Sequence, residues 1–183
     1  MAEIVNDSMT NQDRIYFIKV REVKSPTRGT EQSAGFDFYL PKFTEDFITR
    51  FRELNTSWWY RLNDNSLSIL PGHRLLIPSG IKVFIENKNS ALIAANKSGL
   101  STKHGLQFTA QVVDSDYRGE VHIGILNLGE TQVTFNSGDK LIQFLHTPII
   151  LSNMLEVDEL NWAKLIAKDN SNRGEGGFGS TGR

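Results

Sequence analysis

The residues best suited to bind an anionic ligand lie in a glycine-rich segment at 173–183, RGEGGFGSTGR. Closely spaced glycines let main-chain N–H groups turn toward one anion, and arginine and hydroxyl side chains add further donors. The segment matches G-x-G-x-x-G, but a dinucleotide-binding fold needs a strand before that pattern and a helix after it. We therefore expect a mobile C-terminal arm that closes over a nucleotide bound elsewhere. The alternative is a flexible tail without a role.

Two further segments could act on a phosphorylated ligand. The first is 113–119, VDSDYRG, in which Asp114 could orient and deprotonate a water molecule and Tyr117 could pack on a sugar or base. The second is Lys97-Ser98-Gly99, which follows an apolar segment and offers a cation, a hydroxyl and main-chain donors to a phosphate. Both are also compatible with ordinary turns, since Asp and Ser side chains often bond to turn main chain.

Asp37 is a lone acid among aromatic residues and needs a cationic partner, for which the candidates are Lys97, Arg118 and Arg173. Other chemistries find little support. The four histidines show no H-x-x-x-H spacing, and the chain has no cysteine, which disfavours a zinc site and a disulfide framework. No G-x-S-x-G segment occurs, which argues against a serine hydrolase.

Length and composition limit the number of domains and the classes of protein to which this chain can belong. A chain of 183 residues, 39% of them hydrophobic, is one domain or one domain with an appendage. No apolar run approaches a membrane span, and the polar start MAEIVNDSMTNQDR is unlike a signal peptide, so we expect a cytoplasmic protein. A net charge of −1 disfavours broad nucleic-acid binding.

The elements that must position these residues are mostly short strands. Apolar and polar residues alternate in many short segments separated by Gly, Pro, Ser, Asn and Asp, with few helical stretches between them. This pattern predicts an all-β protein, a jelly-roll-like antiparallel barrel or sandwich. The predicted organisation is a disordered N terminus (1–13), a β domain (14–168) and a flexible arm (169–183).

Two segments have helical periodicity instead. In 44–62, TEDFITRFRELNTSWWYRL, apolar residues recur every three or four positions, Thr44 can cap the first turn, and two acids follow it. This predicts an amphipathic helix in an insertion at about 42–69, where the Trp-rich end packs in the core or binds a partner. A shorter helix is predicted within 157–168.

Taken in order, five segments resemble the five motifs of the homotrimeric dUTP pyrophosphatases (dUTPases). They are AGFDFYL at 34–40, KSGL at 97–100, VDSDYRG at 113–119, GDKLIQ at 138–143 and RGEGGFGSTG at 173–182. One departure is Lys97, where the family usually has arginine, so a point charge replaces a bidentate fork. Another is the segment 107–111, which carries Phe108, Thr109 and Gln111 where relatives often have glycine or asparagine.

The resemblance implies a role for each matching residue. Asp114 is expected to activate the water that attacks the α-phosphorus, and Tyr117 to lie under the deoxyribose and exclude a 2′-hydroxyl. The segment near Gln111 is expected to read uracil through its main chain, and Asp37 to brace the phosphate side. The remaining substrate contacts implied are Lys97, Ser98, Gly99, Gln143, Arg173, Phe178 (stacked on uracil), Gly179, Ser180 and Thr181.

The resemblance also implies Mg²⁺ held by the substrate phosphates and water without a protein ligand, and a homotrimer whose sites are shared between subunits. The implied reaction is hydrolysis of dUTP to dUMP and pyrophosphate, which limits uracil in DNA and supplies dUMP for dTMP synthesis. One alternative is a dCTP deaminase-like enzyme of the same fold. Another is a nucleotide-gated module that binds a protein through the Trp-rich insertion.

Overall fold

A computed structural model of the chain describes residues 14–56 and 59–169. The predicted N-terminal segment 1–13, and the arm from residue 170 onward, lie outside the described residues. The chain divides into two compact units after Ile150. No helix in the described part of the chain is long and apolar enough to span a membrane.

The first unit is built from short strands, as the alternating pattern predicts. In chain order the strands of the described residues are β1 (Ile15–Lys19), β2 (Thr27–Arg28), β3 (Gly35–Tyr39), β4 (Tyr60–Asn63), β5 (Ser66–Ile69), β6 (Arg74–Ile85), β7 (Ser90–Ala95), β8 (Leu106–Phe108), β9 (Val112–Asp114), β10 (Glu120–Asn127), β11 (Val133–Asn136) and β12 (Lys140–Pro148).

These strands form three antiparallel sheets. A four-stranded sheet has the order β1-β6-β10-β8, a three-stranded sheet β11-β5-β4, and a five-stranded sheet β2-β3-β12-β7-β9. The prediction of an all-β, antiparallel fold is confirmed. The three separate sheets are compatible with a jelly-roll-like sandwich, and they do not close into a barrel.

The core draws on all three sheets and on the first helix. Ile77, Leu67 and Phe144 come from the three different sheets, and each is at most 1% exposed. Apolar side chains that alternate with polar ones along a strand share one face, so each sheet buries one face in this core. The β strands therefore form a rigid frame whose edges and connecting loops carry the candidate site residues.

Helix α1 (Glu45–Leu54) begins where the sequence predicts, with the Thr44 hydroxyl accepting a hydrogen bond from the Phe47 N–H. It ends eight residues before Leu62, so the predicted helical length was wrong. Asn55 stops it: its side-chain amide donates to the Phe51 and Leu76 carbonyls, and its Oδ1 accepts the Leu76 N–H. A single amide thereby caps the helix and ties it to β6.

The rest of the insertion is a β hairpin rather than a helix. β4 and β5 pair antiparallel from Tyr60 opposite Ile69 to Asn63 opposite Ser66. Phe51 of α1 packs edge-on against the Tyr60 ring, with centroids 4.9 Å apart. The insertion is therefore part of the core of the first unit.

Two more helices occur in the described residues. Helix α2 (Ser98–His104) follows β7 and ends at Gly105, whose φ of 67° is the left-handed conformation typical of a helix end. The predicted helix within 157–168 is observed as α3 (Glu159–Ile166) in the second unit.

Candidate active site

The five-stranded sheet brings the predicted phosphate-side residues together. Gln143 of β12 pairs with Asp37 of β3 on one side and with Ala95 of β7 on the other. Lys97 follows β7 by two residues, so its side chain reaches back over the same row. We call Asp37, Lys97, Lys140 and Gln143 the Asp37 cluster.

Asp37 is the centre of this cluster. It is 5% exposed, and each carboxylate oxygen takes one ammonium group: Lys97 Nζ lies 2.6 Å from Oδ1 and Lys140 Nζ lies 2.7 Å from Oδ2. Of the three candidate partners that the sequence offers, Lys97 is the one that pairs with Asp37 in the structure. Arg118 instead donates to the Ser115 and Tyr117 carbonyls, and Arg173 lies outside the described residues. A carboxylate that accepts two charge-assisted hydrogen bonds holds both donors in a fixed geometry.

The electrostatics keep Asp37 charged. Burial acts to raise its pKa, but hydrogen bonds from Lys140 and Lys97 and their positive charge outweigh burial, so the net pKa is lowered. Conversely, the bond to Asp37 raises the pKa of Lys140. Asp37 and Lys140 are therefore both ionised at neutral pH. Two lysines around one aspartate give the cluster an excess of positive formal charge.

Lys140 is a member of the cluster that the sequence prediction missed. It lies in the segment GDKLIQ at 138–143, in which a role was predicted from the sequence for Gln143 alone. The signal that could have found it is strand pairing, because the β3–β12 ladder places Lys140 opposite Tyr39, two residues from Asp37. Its side chain is 45% exposed, so its ammonium is accessible to a ligand as well as to Asp37.

Asp114 and Tyr117 lie at a different place, which we call the Asp114 turn (residues 114–120). Asp114 is the last residue of β9, and its carbonyl accepts a hydrogen bond from the Tyr117 N–H at 3.1 Å. The Ser115 hydroxyl donates to the Lys88 carbonyl at 3.2 Å. These two hydrogen bonds hold the first four residues of the turn, 114–117, in place. Asp114 itself is exposed.

The Asp114 turn connects two sheets. β9 belongs to the five-stranded sheet and β10, which follows the turn, to the four-stranded one. The Tyr117 hydroxyl donates to the Glu120 carbonyl at 2.8 Å, which holds the ring against the start of β10. This connection is therefore not a simple hairpin turn, because the strands on its two sides belong to different sheets.

The two groups are separated within one chain. Ala91 pairs with Asp114, whereas Ala95, four residues further along β7, lies in the row of Asp37 and Gln143. At about 3.3 Å per strand residue, Asp114 is displaced from that row by roughly 13 Å along the strands. A triphosphate held at the Asp37 cluster of one chain is therefore not placed directly over Asp114 of the same chain.

The remaining described candidates lie between or beside these groups. Ser98 and Gly99 form the first turn of α2. The Gln111 carbonyl accepts the Ala94 N–H at 2.6 Å, and the Thr109 N–H donates to the Gly124 carbonyl at 3.0 Å. These two groups are engaged within the chain, so main-chain recognition of a base here would use the other main-chain groups of Ala110 and Gln111. Arg173, Phe178, Gly179, Ser180 and Thr181 lie outside the described residues.

Two cavities are relevant to these positions. One of about 350 Å³ opens beside the Asp37 cluster and is lined by Lys140 together with Leu100 and His104 of α2. A larger one, about 580 Å³, lies where Asn55, Trp59 and Thr109 meet, away from the Asp37 cluster. Volume alone does not identify a binding site, because the polar groups that line a cavity decide what it binds. The Asp37 cluster lies beside the smaller cavity, to which it contributes Lys140.

The oxygen-bearing side chains of the site also indicate how a metal ion could be bound. Both oxygens of Asp37 are engaged by lysines, and in residues 14–56 and 59–169 no three His, Asp or Glu side chains form a metal-ligating group. Mg²⁺ prefers a few oxygen ligands and retains water. An exposed carboxylate and a net positive cluster suit a metal that arrives with phosphate better than one caged by protein.

Comparisons with known proteins identify relatives over the larger part of the chain. The family model described as dUTPase matches residues 63–182. The deoxyuridine 5′-triphosphate nucleotidohydrolase of Shewanella sediminis is 36% identical over 121 residues, covering 65% of this chain and 74% of that protein. The protein of the same name from Acinetobacter baylyi is 36% identical over 122 residues, covering 66% and 76%.

Solved structures share the fold at lower identity. The dUTPase of Staphylococcus bacteriophage 80alpha with dUpNHpp has a TM-score of 0.69 at 18% identity, covering 95% of this chain and all of that one. A dUTPase of phage phi11 of S. aureus, described with a structural Mg(II) ion, has a TM-score of 0.61 at 18% identity, covering 80% and 98%.

Proposed function

The chain belongs to the dUTPase family, and we infer from this membership that it is a dUTP diphosphatase, which hydrolyses dUTP to dUMP and pyrophosphate. The observation that carries the inference is the family match over 63–182, which includes Lys97, Asp114 and Gln143. The activity keeps dUTP out of DNA synthesis and supplies dUMP as a precursor of dTMP.

We propose that Asp114 is the general base. Its exposed carboxylate stands at a strand end held by the Tyr117 N–H, and such a group can orient a water and take its proton. The water oxygen forms a bond to the α-phosphorus while the bond from that phosphorus to the bridging oxygen of the β-phosphate breaks. The proton goes to Asp114 and the electron pair leaves with pyrophosphate.

The Asp37 cluster is proposed to receive the triphosphate. Lys97 and Lys140 supply positive charge, and Asp37 fixes both ammonium groups in advance, which reduces the reorganisation needed when the anion binds. Ser98 and Gly99 are proposed to contact phosphate oxygens, with Gln143 supporting them from the adjacent strand. In the arm, Arg173 is proposed to reach the γ-phosphate, Phe178 to stack on uracil, and Gly179, Ser180 and Thr181 to wrap the triphosphate.

Uracil and sugar are proposed to lie along the segment 109–117. The main chain of Ala110 and Gln111 would pair with the base, and the Tyr117 ring would underlie the deoxyribose. Mg²⁺ bound to the phosphates and water would neutralise charge that develops on the leaving group. The chain's own residues then have the tasks of positioning the phosphates and removing the proton.

We propose that the active form is a homotrimer with shared sites. The offset of roughly 13 Å along the strands between Asp114 and the Asp37 row supports this, because one chain does not bring them together. A second support is the apolar character of 150–166, where the exposed fraction is 90% at Ile150, 98% at Met154 and 58% at Trp162. Large apolar side chains at such exposure favour association.

Protein binding through the insertion is a secondary proposal. Trp59 is 54% exposed and stacks on His73, with centroids 4.7 Å apart and planes inclined by 2°. An exposed, rigidly held tryptophan suits a binding surface. This role is compatible with hydrolysis, since Trp59 lies outside both residue groups.

The proposed reaction is tested by the position of attack. The purified protein is given dUTP and Mg²⁺ in ¹⁸O-labelled water, and both products are analysed by mass spectrometry. Attack at the α-phosphorus puts one ¹⁸O into dUMP and none into pyrophosphate. Label in pyrophosphate would mean attack at the β-phosphorus and would contradict the proposed role of Asp114. Failure to form dUMP and pyrophosphate would refute the proposed function itself.

A further inference from the structure

Gly119 lies under the ring of Tyr117. An ideal Cβ built on Gly119 would lie 2.3 Å from the Tyr117 hydroxyl oxygen, 2.5 Å from Cζ and 3.0 Å from Cε2. Cβ atoms do not approach other heavy atoms so closely, so the observed position of the ring depends on glycine at 119. The main-chain conformation there does not require glycine, because its φ lies outside the left-handed region.

The ring is also held from the other side of Gly119. Its hydroxyl donates to the Glu120 carbonyl at 2.8 Å, so the ring folds back over residue 119 to reach residue 120. Tyr117 is nevertheless 40% exposed, so part of its side chain is accessible to a ligand. One hydrogen bond and one close approach to Gly119 define the position of the ring.

Glu120, whose carbonyl accepts that bond, is itself held in place through its side chain. Its Oε1 accepts from Arg21 Nε at 3.0 Å and from the Gly80 N–H at 2.7 Å, and its Oε2 accepts from the second Arg21 nitrogen at 3.1 Å. Both side chains are about nine-tenths buried. Bidentate pairing of this kind fixes orientation as well as distance. Arg21 also pairs with Asp46 of α1, which ties the anchor to the insertion.

We propose that Gly119 is a specificity-determining position, which acts through Tyr117 to exclude nucleotides that carry a 2′-hydroxyl. This inference rests on the proposed function, in which the Tyr117 ring underlies the sugar. A side chain at 119 displaces the ring from the Glu120 carbonyl, and the displaced ring no longer closes the space beside C2′. Gly119 is a positioning residue, since it reaches the substrate only through Tyr117.

The test is the ratio of kcat/KM for dUTP to kcat/KM for UTP, measured in Gly119→Ala. We expect this ratio to fall about 10-fold to 100-fold, the range that one misplaced contact in a specificity pocket produces. The fall should come mainly from gain with UTP and a raised KM for dUTP, with kcat for dUTP less affected. The matched control is Gly29→Ala, where the added Cβ meets only the Ser33 hydroxyl at 3.2 Å; its ratio should match the wild type.

A double-mutant cycle tests whether residue 119 affects the dUTP/UTP ratio through the Tyr117 ring. In a Tyr117→Ala background, Gly119→Ala should leave the dUTP/UTP ratio where Tyr117→Ala put it, because there is no ring to displace. A further fall of the same size in that background would show that residue 119 acts through the main chain and would overturn the proposal. So would an unchanged ratio in the single variant.

Tyr117→Phe gives a second measurement should Gly119→Ala fold poorly. It removes the bond to Glu120 but leaves the ring over Gly119, so the ratio should fall less than in Tyr117→Ala. A ratio equal to that of the wild type would contradict anchoring by Glu120. The proposed function has its own readout here, since a wild-type protein that does not hydrolyse dUTP would refute the function and not the positioning.

Discussion

Replacing Asp114 with asparagine is expected to lower kcat for dUTP about 10²-fold to 10⁴-fold, the range that general-base catalysis contributes. Asparagine keeps the shape of the side chain and can still accept a hydrogen bond from water, but it cannot take the proton. KM should change only a few-fold, because the proposed substrate contacts lie on other residues. Steady-state kinetics of pyrophosphate release with Mg²⁺ measures both constants.

Asp116 provides the matched control for this change. It is an exposed aspartate on the same turn, two residues from Asp114, so Asp116→Asn alters charge in the same region without removing the proposed base. Its kcat should stay close to that of the wild type. Equal losses in the two variants would indicate a general effect of negative charge on the turn, and a fully active Asp114→Asn would exclude Asp114 as the base.

Phe51→Ala is expected to have the largest effect on stability. Phe51 is fully buried, stacks on Phe47 at 5.9 Å and packs edge-on against Tyr60. Truncation of a buried phenylalanine costs about 3–5 kcal/mol in free energy of unfolding, from lost burial and the cavity left behind. Urea unfolding at one fixed protein concentration measures the change, since association shifts apparent stability.

Thr49→Ala is the control on the same helix. Thr49 is exposed on α1, so its replacement should change the free energy of unfolding by only about 0.5 kcal/mol. If Phe51→Ala were equally harmless, the insertion would not be part of the core, and its main role would be at the surface. The observed burial instead predicts that removal of 44–62 collapses the fold.

The strands could be predicted from the sequence because their signal is local. Alternation in segments such as 133–136, whose burial alternates residue by residue, needs no knowledge of partners. The start of α1 was predictable for the same reason, since Thr44 and two acids form a local capping signal. Its end was not, because Asn55 acts on the main chain of Leu76, 21 residues away.

Helix α2 was missed although a signal was present. SGLSTKH has little apolar periodicity, but Lys103 and His104 followed by Gly105 form a typical helix end. In the candidate site, chemistry alone indicates that Asp37 needs a cationic partner, but it does not choose among Lys97, Arg118 and Arg173. Lys140 and Glu120 required strand pairing and side-chain geometry, because their partners are distant in sequence.

The proposed activity is tested most simply by measuring pyrophosphate release by the purified 183-residue chain with Mg²⁺, given dUTP, dCTP, dTTP and UTP separately. We expect rapid pyrophosphate release with dUTP alone, together with an equal amount of dUMP. Release of ammonia from dCTP would indicate a deaminase of the same fold. Absence of release from all four nucleotides would contradict the assignment of an active diphosphatase and favour a binding role for the surface around Trp59.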